Sequence, residues 1–343
     1  MHLLETLSLS PVLGTPAWMW LAFLALVAGL LVIDLGLLHK EQREISARES
    51  LLLSGLYIGL GLAFGGFVWW SLGGKAGAEY LTGFAVEKTL ALDNVFVIAL
   101  IFAYFGVPRS LQHRVLFWGV LGVIVLRGAM IAAGSAIIES ASWVLYLFAL
   151  FLIATGVKMF FADDKPHDVG ASRLLRVLRG RMRVTEGLHG ERFFVRLRAA
   201  DTGRLAWHAT PLFLALVLVE AADVIFAVDS VPAIFAITRD PFVVYTSNIF
   251  AILGLRALYF ALSGLVDRFH YLKYALALVL VFIGSKILIA DLAGIDKIPP
   301  VLALGVTVLI LAAGVIVSLV RGGGGGVSVP SPIAPRSQGN ASL

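Results

Sequence analysis

Nine long apolar runs dominate this sequence and decide what it can fold into. A helix needs about 20 consecutive apolar residues to cross a hydrocarbon core about 30 Å thick. The runs do not alternate apolar with polar residues, so they predict helices and exclude the strands of a membrane barrel. They lie near 16–38, 48–72, 78–105, 112–138, 141–162, 206–237, 243–265, 271–291 and 299–320. We therefore predict an all-α membrane protein with about nine transmembrane helices.

The composition excludes several other classes of protein. Charged residues make up 14% of the chain and the mean hydropathy is +0.92, whereas a soluble domain has about 25% charged residues. The chain contains no cysteine, so it offers neither a disulfide nor a thiolate metal site. Its histidines are scattered in loops and near the termini, which does not indicate a zinc-type cluster.

The distribution of Lys and Arg predicts the orientation of the chain in the membrane. With the N-terminus placed outside, nineteen of these residues fall in inside segments and three, Lys75, Arg239 and Lys297, fall in outside loops. The positive-inside rule therefore predicts an outside N-terminus and a cytoplasmic C-terminus. The net charge of +5 follows from this bias, so it does not call for a nucleic-acid partner.

Outside the apolar runs, the chain has one long hydrophilic loop and one polar tail. We predict a transmembrane domain over 1–320, with a basic cytoplasmic loop at 163–205, and a Gly-, Ser- and Pro-rich tail at 321–343 that is disordered. Four arginines recur at helical spacing in the loop: Arg173, Arg176, Arg179 and Arg183. They predict a short amphipathic helix on an anionic membrane surface, and a solvated linker or gate is the equal alternative.

An internal repeat is the most informative feature of the chain. Residues 87–95 (EKTLALDNV) align without gaps on 223–231 (DVIFAVDSV). Each motif is followed by a run with Leu-Arg in its middle and then by a run carrying Gly-x-Lys, which predicts two units of three helices, at about 78–162 and 206–291. An odd number of spans per unit inverts the second unit relative to the first. Inverted repeats are typical of secondary transporters with a substrate site near the midplane, and chance similarity between apolar helices is the alternative.

Charged residues inside the apolar runs are the candidate functional groups. Each costs about 2.5–3.5 kcal/mol near the bilayer centre, so few are retained without a role. The acids are Asp34, Glu87, Asp93, Glu220, Asp223 and Asp229, and the cations are Lys88, Arg127, Lys158, Arg256 and Lys286. We favour a structural role for the two arginines, as fixed partners of repeat-helix carboxylates. The lysines of the Gly-x-Lys motifs either extend to an interface or act in function, and Lys88 is expected at an interface or beside an acid.

Helix geometry gathers the acids of each repeat motif into a wedge of oxygen ligands. Residues seven apart share a helix face, so Glu87 lies above Asn94 and Asp223 above Ser230. Asp93 and Asp229 lie on an adjacent flank, and Glu220 lies one turn before Asp223. Two such wedges meeting about a two-fold axis could supply the six or so oxygens that a hard divalent cation prefers.

Three further residues have open interpretations. Pro232 deprives the Val228 carbonyl of its helical donor, which either exposes an ion ligand or simply kinks a packing helix. Asn248 adds an oxygen to the site or caps a neighbouring helix. Asp34 guards a cytoplasmic entrance or pairs with Lys40 or His39.

No enzyme motif is present in the sequence, and no cofactor is indicated. It contains no nucleophile elbow, P-loop or HExxH sequence. We therefore expect a transporter rather than an enzyme, working as a channel or driven by an ion gradient. Protons are the candidate counter-ion, because midplane carboxylates could exchange them for a metal.

Three segments, YLTGFAVEKTLALDNVFVIALIF, LVLVEAADVIFAVDSVPAIFAIT and NIFAILGLRALYF, resemble the signature segments of the TerC/Alx family of integral membrane proteins. The resemblance runs from about Ile33 to Ile289. The family is grouped with LysE-type exporters and is linked by name to tellurite resistance, and its better-understood members are linked to manganese export and to metalation of secreted proteins.

The resemblance implies a bacterial plasma (inner) membrane protein that exports manganese, rather than magnesium or calcium, through a path lined by acids. The path residues it implies are Glu87, Asp93, Asp223 and Asp229, with Asn94, Ser230 and Glu220 nearby. A non-transporting scaffold or stress-response partner, in which acids and arginines form only structural pairs, is the main alternative. Transport of an amino acid or oxyanion is a weaker one, because the motifs are acid-led.

Overall fold

The computed structural model describes residues 11–36, 47–161, 169–198, 204–262, 272–292 and 299–321. Almost all of this part is helical, because the apolar runs close their backbone hydrogen bonds locally. The helices are α1 (Ala17–Gly36), α2 (Ala47–Leu72), α3 (Gly74–Tyr104), α4 (Arg109–Ser140), α5 (Val144–Phe161), α6 (Arg173–Arg181), α7 (Pro211–Ile237), α8 (Pro241–Leu253), α9 (Leu255–Leu262), α10 (Leu272–Leu292) and α11 (Pro300–Arg321).

The chain is an all-α membrane protein, as the sequence predicts. Within the described residues, seven helical segments are long and apolar enough to cross a membrane. The apolar part of α1, Ala17–Ile33, is shorter, and α3 interrupts its apolar sequence with charged residues such as Glu79 and Glu87. The count of nine spans and the inverted orientation of the two units stay predictions.

Two of the predicted runs differ from the observed helices. Residues Leu205–Ala209 form a strand rather than the start of a membrane helix. The helix that follows begins at Pro211, where proline suits the first helical position. The run at 243–265 is broken at Gly254, between α8 and α9.

Lys88 stabilises the end of α8 at this break. Its Nζ donates a hydrogen bond of 2.9 Å to the backbone carbonyl of Ala251, in the last turn of α8. The final carbonyls of a helix have no intrahelical partner and carry partial negative charge. The hydrogen bond gives Lys88 a backbone partner in α8. Its expected place at an interface or beside an acid stays a prediction.

The third helices of the two predicted units, α5 and α10, pack closely through a pair of glycines. A Cβ atom on Gly156 would lie 2.7 Å from the Ala277 carbonyl oxygen, and one on Gly284 would lie 2.6 Å from the Ala149 carbonyl oxygen. Gly156 is separated from Gly284 by the same number of residues as Ala149 is from Ala277. Each helix therefore makes the same glycine-to-carbonyl contact with the other, as a two-fold relation between the units requires.

The hydrophilic loop contains more structure than a linker. It includes α6 and an antiparallel hairpin of β3 (Phe194–Arg198) and β4 (Leu205–Ala209). Leu175 of α6 is buried in the core of the bundle, so this helix uses an apolar side to pack on the protein. Arg183 lies beyond the end of α6. A second small hairpin, β1 (Pro11–Val12) and β2 (Thr15–Pro16), precedes α1.

Some predictions fall on residues that the structure does not describe. The tail from 322 onward lies outside the described residues, as do His39 and Lys40. The backbones of Asp34 and Asp93 belong to α1 and α3, but their side chains are outside the described part. The roles predicted for these two acids stay predictions.

Candidate functional site

Arg127 of α4 lies at the centre of a buried polar cluster where α3, α4, α7 and α8 meet. Its side chain is 1% exposed, and its NH1 atom forms an ion pair of 2.6 Å with Glu87 Oε1. NH1 also donates to Ser230 Oγ at 2.7 Å and to Asn248 Oδ1 at 2.9 Å. Two longer bonds join the guanidinium to Asp223, from NH2 at 3.4 Å and from Nε at 3.5 Å.

The two repeat motifs meet in this cluster. Asn94 Nδ2, from the first motif, donates to Asp223 Oδ1 of the second motif at 3.3 Å. Ser230, from the second motif, and Glu87, from the first, share the NH1 group of Arg127, at 2.7 and 2.6 Å. Because Glu87 aligns with Asp223 and Asn94 aligns with Ser230, each aligned pair contributes one residue of each motif to the cluster.

The position of Arg127 changes the predicted ion site. The sequence predicted a pocket of six or so oxygens between the two motifs, whereas a guanidinium stands between Glu87 and Asp223. Two carboxylates buried in a medium of low dielectric need a counter-charge, and arginine supplies one with fixed geometry. Among the described residues, no group of three or more His, Asp or Glu side chains is placed to hold a metal.

One side of the cluster retains unpaired oxygens. Asn94 is 6% exposed, and its Oδ1 atom has no hydrogen-bond partner among the described residues. The same holds for Glu220 Oε2, one turn before Asp223 on α7. A void of about 20 Å³ lies beside Asn94 and Asp223; Gly119 and Arg256 also line it, and Glu220 does not. The void is large enough for about one water-sized group.

A glycine on α4 makes room for the Glu220 carboxylate. A Cβ atom at Gly122 would lie 2.6 Å from Glu220 Cδ and 2.7 Å from Oε2. At Gly119, one turn earlier and lining the void, the nearest carboxylate atom would be 3.9 Å away. Glu220 therefore sits in a notch on α4 that any side chain at position 122 would fill.

A wider cavity of about 530 Å³ opens at the end of the bundle predicted to face outside. Its charged lining comes from Lys75, Glu79, Arg239, Asp240 and Lys286. A smaller cavity shares Glu79 and Lys286 and continues to Thr82. The sequence interpretation missed Glu79, which is 8% exposed, although its place within the run at 78–105 was a signal that could have found it.

The profile of the integral membrane protein TerC family matches residues 72–322. The chain belongs to the TerC family. A membrane protein of Rickettsia bellii is 46% identical over 302 residues, covering 88% of this chain and 97% of its own length. A "putative membrane-bound redox modulator Alx" of Escherichia coli K12 is 48% identical over 307 residues, covering 87% and 92%. No solved structure matches the chain.

The TerC match contains the whole buried cluster, and the structure assigns different surroundings to the other predicted residues. Asp229 is half-buried, points about 120° around α7 from Asp223, and has the exposed Lys158 as its charged neighbour. Arg256 is 6% exposed and lines the void beside Asn94. The hydrogen bonds of Arg127 do not include Asp229.

The structure decides one alternative left open by the sequence of this TerC protein, that of Asn248, and leaves that of Pro232 open. Asn248 lies in the middle of α8 and accepts a hydrogen bond from Arg127, so it does not cap a neighbouring helix. Helix α7 continues through Pro232 to Ile237. The ligand role of the Val228 carbonyl stays a prediction.

Proposed function

We propose that this TerC protein exports a divalent metal cation, with manganese as its substrate, and that it is not an enzyme. The observation that carries the proposal is the pair of buried unpaired oxygens, Asn94 Oδ1 and Glu220 Oε2, beside Asp223. A buried oxygen without a donor costs about 1–3 kcal/mol. Such oxygens beside a carboxylate are suitable ligands for a hard cation. The preference for manganese rests on the family resemblance.

Arg127 acts in this proposal as an internal counter-cation that holds the site when no metal is present. Its 2.6 Å ion pair ties it to Glu87, whereas its contacts with Asp223 are 3.4 and 3.5 Å long. The longer contacts are the weaker ones. An arriving cation therefore competes for Asp223, while Arg127 stays paired with Glu87 and bonded to Ser230 and Asn248.

The charge of the cluster supports an exchange mechanism. Glu87, Asp223 and Glu220 carry three negative charges when ionised, and Arg127 and Arg256, which lines the void, carry one positive charge each. The remaining negative charge attracts a cation, and protons can replace the cation on the carboxylates after release. Protons are therefore the proposed counter-ion, with the bilayer and the metal as the other partners.

Manganese flux into proteoliposomes tests the proposal. Asp223→Asn keeps the size of the side chain and its acceptor oxygen for Asn94 but removes the charge that the cation needs. We expect wild-type protein to move Mn²⁺ and Asp223→Asn to lose most of that flux, with a response to an imposed proton gradient in the wild type. Glu139→Gln, at an exposed acid near the end of α4, is the matched control and should retain full flux. Equal flux for Asp223→Asn and Glu139→Gln would contradict the proposal.

A non-transporting membrane scaffold or stress-response partner is the second candidate function. The closure of Glu87 and Asp223 by Arg127 favours it, because such a network also serves to fix helix packing. The name of the Escherichia coli relative refers to redox modulation, and the sequence of this chain contains no cysteine to supply thiol chemistry. Absence of Mn²⁺ flux in wild-type proteoliposomes, together with restored folding on exchanging Arg127 and Asp223, would favour this function.

A further inference from the structure

One face of the β3–β4 hairpin is exposed, apolar and basic. Cross-strand pairing sets Phe194 opposite Ala209, Arg196 opposite Trp207, and Arg198 opposite Leu205. Alternation along a strand places the side chains of these pairs on one side. Leu205 is 70% exposed, Trp207 60% and Phe194 42%. We name this surface the hairpin face and define it by Phe194, Arg196, Arg198, Leu205 and Trp207.

The hairpin is fixed to the protein at the end of a membrane helix. A single residue, Thr210, separates β4 from the first residue of α7. The Phe194 ring packs on Phe213, in the first turn of α7, with 4.4 Å between ring centroids. The Thr210 side chain donates to the Arg192 carbonyl at 2.8 Å, and Val195 on the other side of the hairpin is buried. The hairpin face therefore stands within a few residues of the level where α7 enters the bilayer.

The chemistry of the hairpin face matches a leaflet of anionic lipid. The Arg196 guanidinium lies over the Trp207 ring, 4.6 Å from its centroid, so a cation and an aromatic ring are presented together. Tryptophan is enriched at the level of the headgroups, and basic residues near the membrane surface are attracted to an anionic leaflet. The loop that carries the hairpin lies on the side predicted to be cytoplasmic.

We propose that the hairpin face docks on anionic phospholipid headgroups of the leaflet that surrounds the start of α7. Leu205, Trp207 and Phe194 enter the boundary between headgroups and acyl chains, while Arg196 and Arg198 bind headgroup phosphates. For the loop arginines from Arg173 to Arg183, the sequence left membrane-surface binding and a solvated linker or gate as equal alternatives. The structure packs Leu175 of α6 into the core of the bundle. The docking surface is the hairpin, and it is independent of whether the protein transports a metal.

Site-specific spin labelling can test this docking, because the chain contains no cysteine. Leu205→Cys places a single label on the hairpin face, and Ala206→Cys, on the next residue, places one on the opposite side as the matched control. The full-length protein is reconstituted in nanodiscs of phosphatidylcholine alone or with phosphatidylglycerol. Collision with oxygen reports lipid contact, and collision with a water-soluble nickel complex reports water contact.

We expect the Leu205→Cys label to lose nickel accessibility severalfold and gain oxygen accessibility when phosphatidylglycerol is present. The Ala206→Cys label should not respond to the lipid. Adding Arg196→Gln and Arg198→Gln to the Leu205→Cys protein should return the label to water. Equal water exposure at position 205 in both kinds of nanodisc would overturn the proposal. Protection that persists in neutral lipid or after both arginine substitutions would also overturn it, since it would indicate packing on protein.

Discussion

Asp223 has two different neighbourhoods within one buried cluster. On one side, Arg127 joins it to Glu87, Ser230 and Asn248, and all of these groups have partners. On the other side lie Asn94 Oδ1 and Glu220 Oε2, which have no partners among the described residues. We call the contacts of Asp223 with Arg127 the closed side of the cluster, and the unpaired oxygens of Asn94 and Glu220 the open side. The closed side is a structural ion pair, and the open side is where a cation would bind.

The comparison separates charge compensation from ligand supply. Removing one partner of a buried ion pair is strongly destabilising, because the remaining charge stays in a medium of low dielectric. Removing an unpaired ligand costs little stability but removes a contact to the substrate. The closed side should therefore dominate the free energy of unfolding, whereas the open side should dominate transport.

The largest effect on stability is expected from Arg127→Met. The change leaves Glu87 and Asp223 without their counter-charge, so the free energy of unfolding should fall by about 3–5 kcal/mol. Reversible unfolding in mixed detergent micelles measures this difference. The control is Arg176→Met, an exposed arginine of α6, which should change stability by about 0.5 kcal/mol or less. If Arg127→Met and Arg176→Met lowered the free energy of unfolding by similar amounts, Arg127 would contribute no more to stability than an exposed arginine.

An intermediate effect is expected from Gly122→Ala on the open side. The added methyl group would displace the Glu220 carboxylate from the notch. Because that carboxylate is the end of a flexible side chain, the cost should be about 1 kcal/mol, at the low end of the range for overpacking. Gly119→Ala is a matched control on the same helix, because its Cβ would meet only ordinary contacts of 3.6 and 3.9 Å. Alanine in place of a helical glycine should then leave stability unchanged or raise it by about 0.5–1 kcal/mol. A Gly119→Ala protein less stable than Gly122→Ala would show that the notch is misplaced.

The smallest effect on stability is expected from Glu220→Gln. The amide has nearly the shape of the carboxylate and replaces an oxygen that had no partner, so the free energy of unfolding should change by about 1 kcal/mol or less. Manganese flux should nevertheless fall to near the level of Asp223→Asn. A stable Glu220→Gln protein with intact manganese flux would show that Glu220 is not a ligand of the transported cation.

The sequence predicts the helices well because hydrophobic length is a local property. Each of the nine apolar runs contains a helix, and the TerC resemblance is confirmed by the family match. The exceptions have a local cause. The segment LAWHA at 205–209 is apolar enough to extend a predicted membrane helix, but it pairs with Phe194–Arg198 in a hairpin. Gly254 divides a run whose hydrophobicity is continuous across it.

The candidate site was only partly predictable, because it depends on how helices rotate against each other. The alignment of Glu87 with Asp223 correctly indicated that the two motifs belong to one feature. The role favoured for Arg127, as a fixed partner of repeat-helix carboxylates, is confirmed by its ion pairs with Glu87 and Asp223. The sequence could not show that one arginine would bridge both acids, or that Asn248 would accept a hydrogen bond from it. The notch at Gly122 requires the register of α4 against α7, which a single sequence does not contain.

Direct binding of Mn²⁺ to the purified protein in nanodiscs tests the central claim of an open cation site beside Asp223. Electron paramagnetic resonance distinguishes bound from free Mn²⁺ without requiring transport. The account predicts bound Mn²⁺ for the wild type and Glu139→Gln, and loss of bound Mn²⁺ for Glu220→Gln and Asp223→Asn. Wild-type protein that binds no Mn²⁺, or Glu220→Gln and Asp223→Asn proteins that bind as much as the wild type, would contradict it.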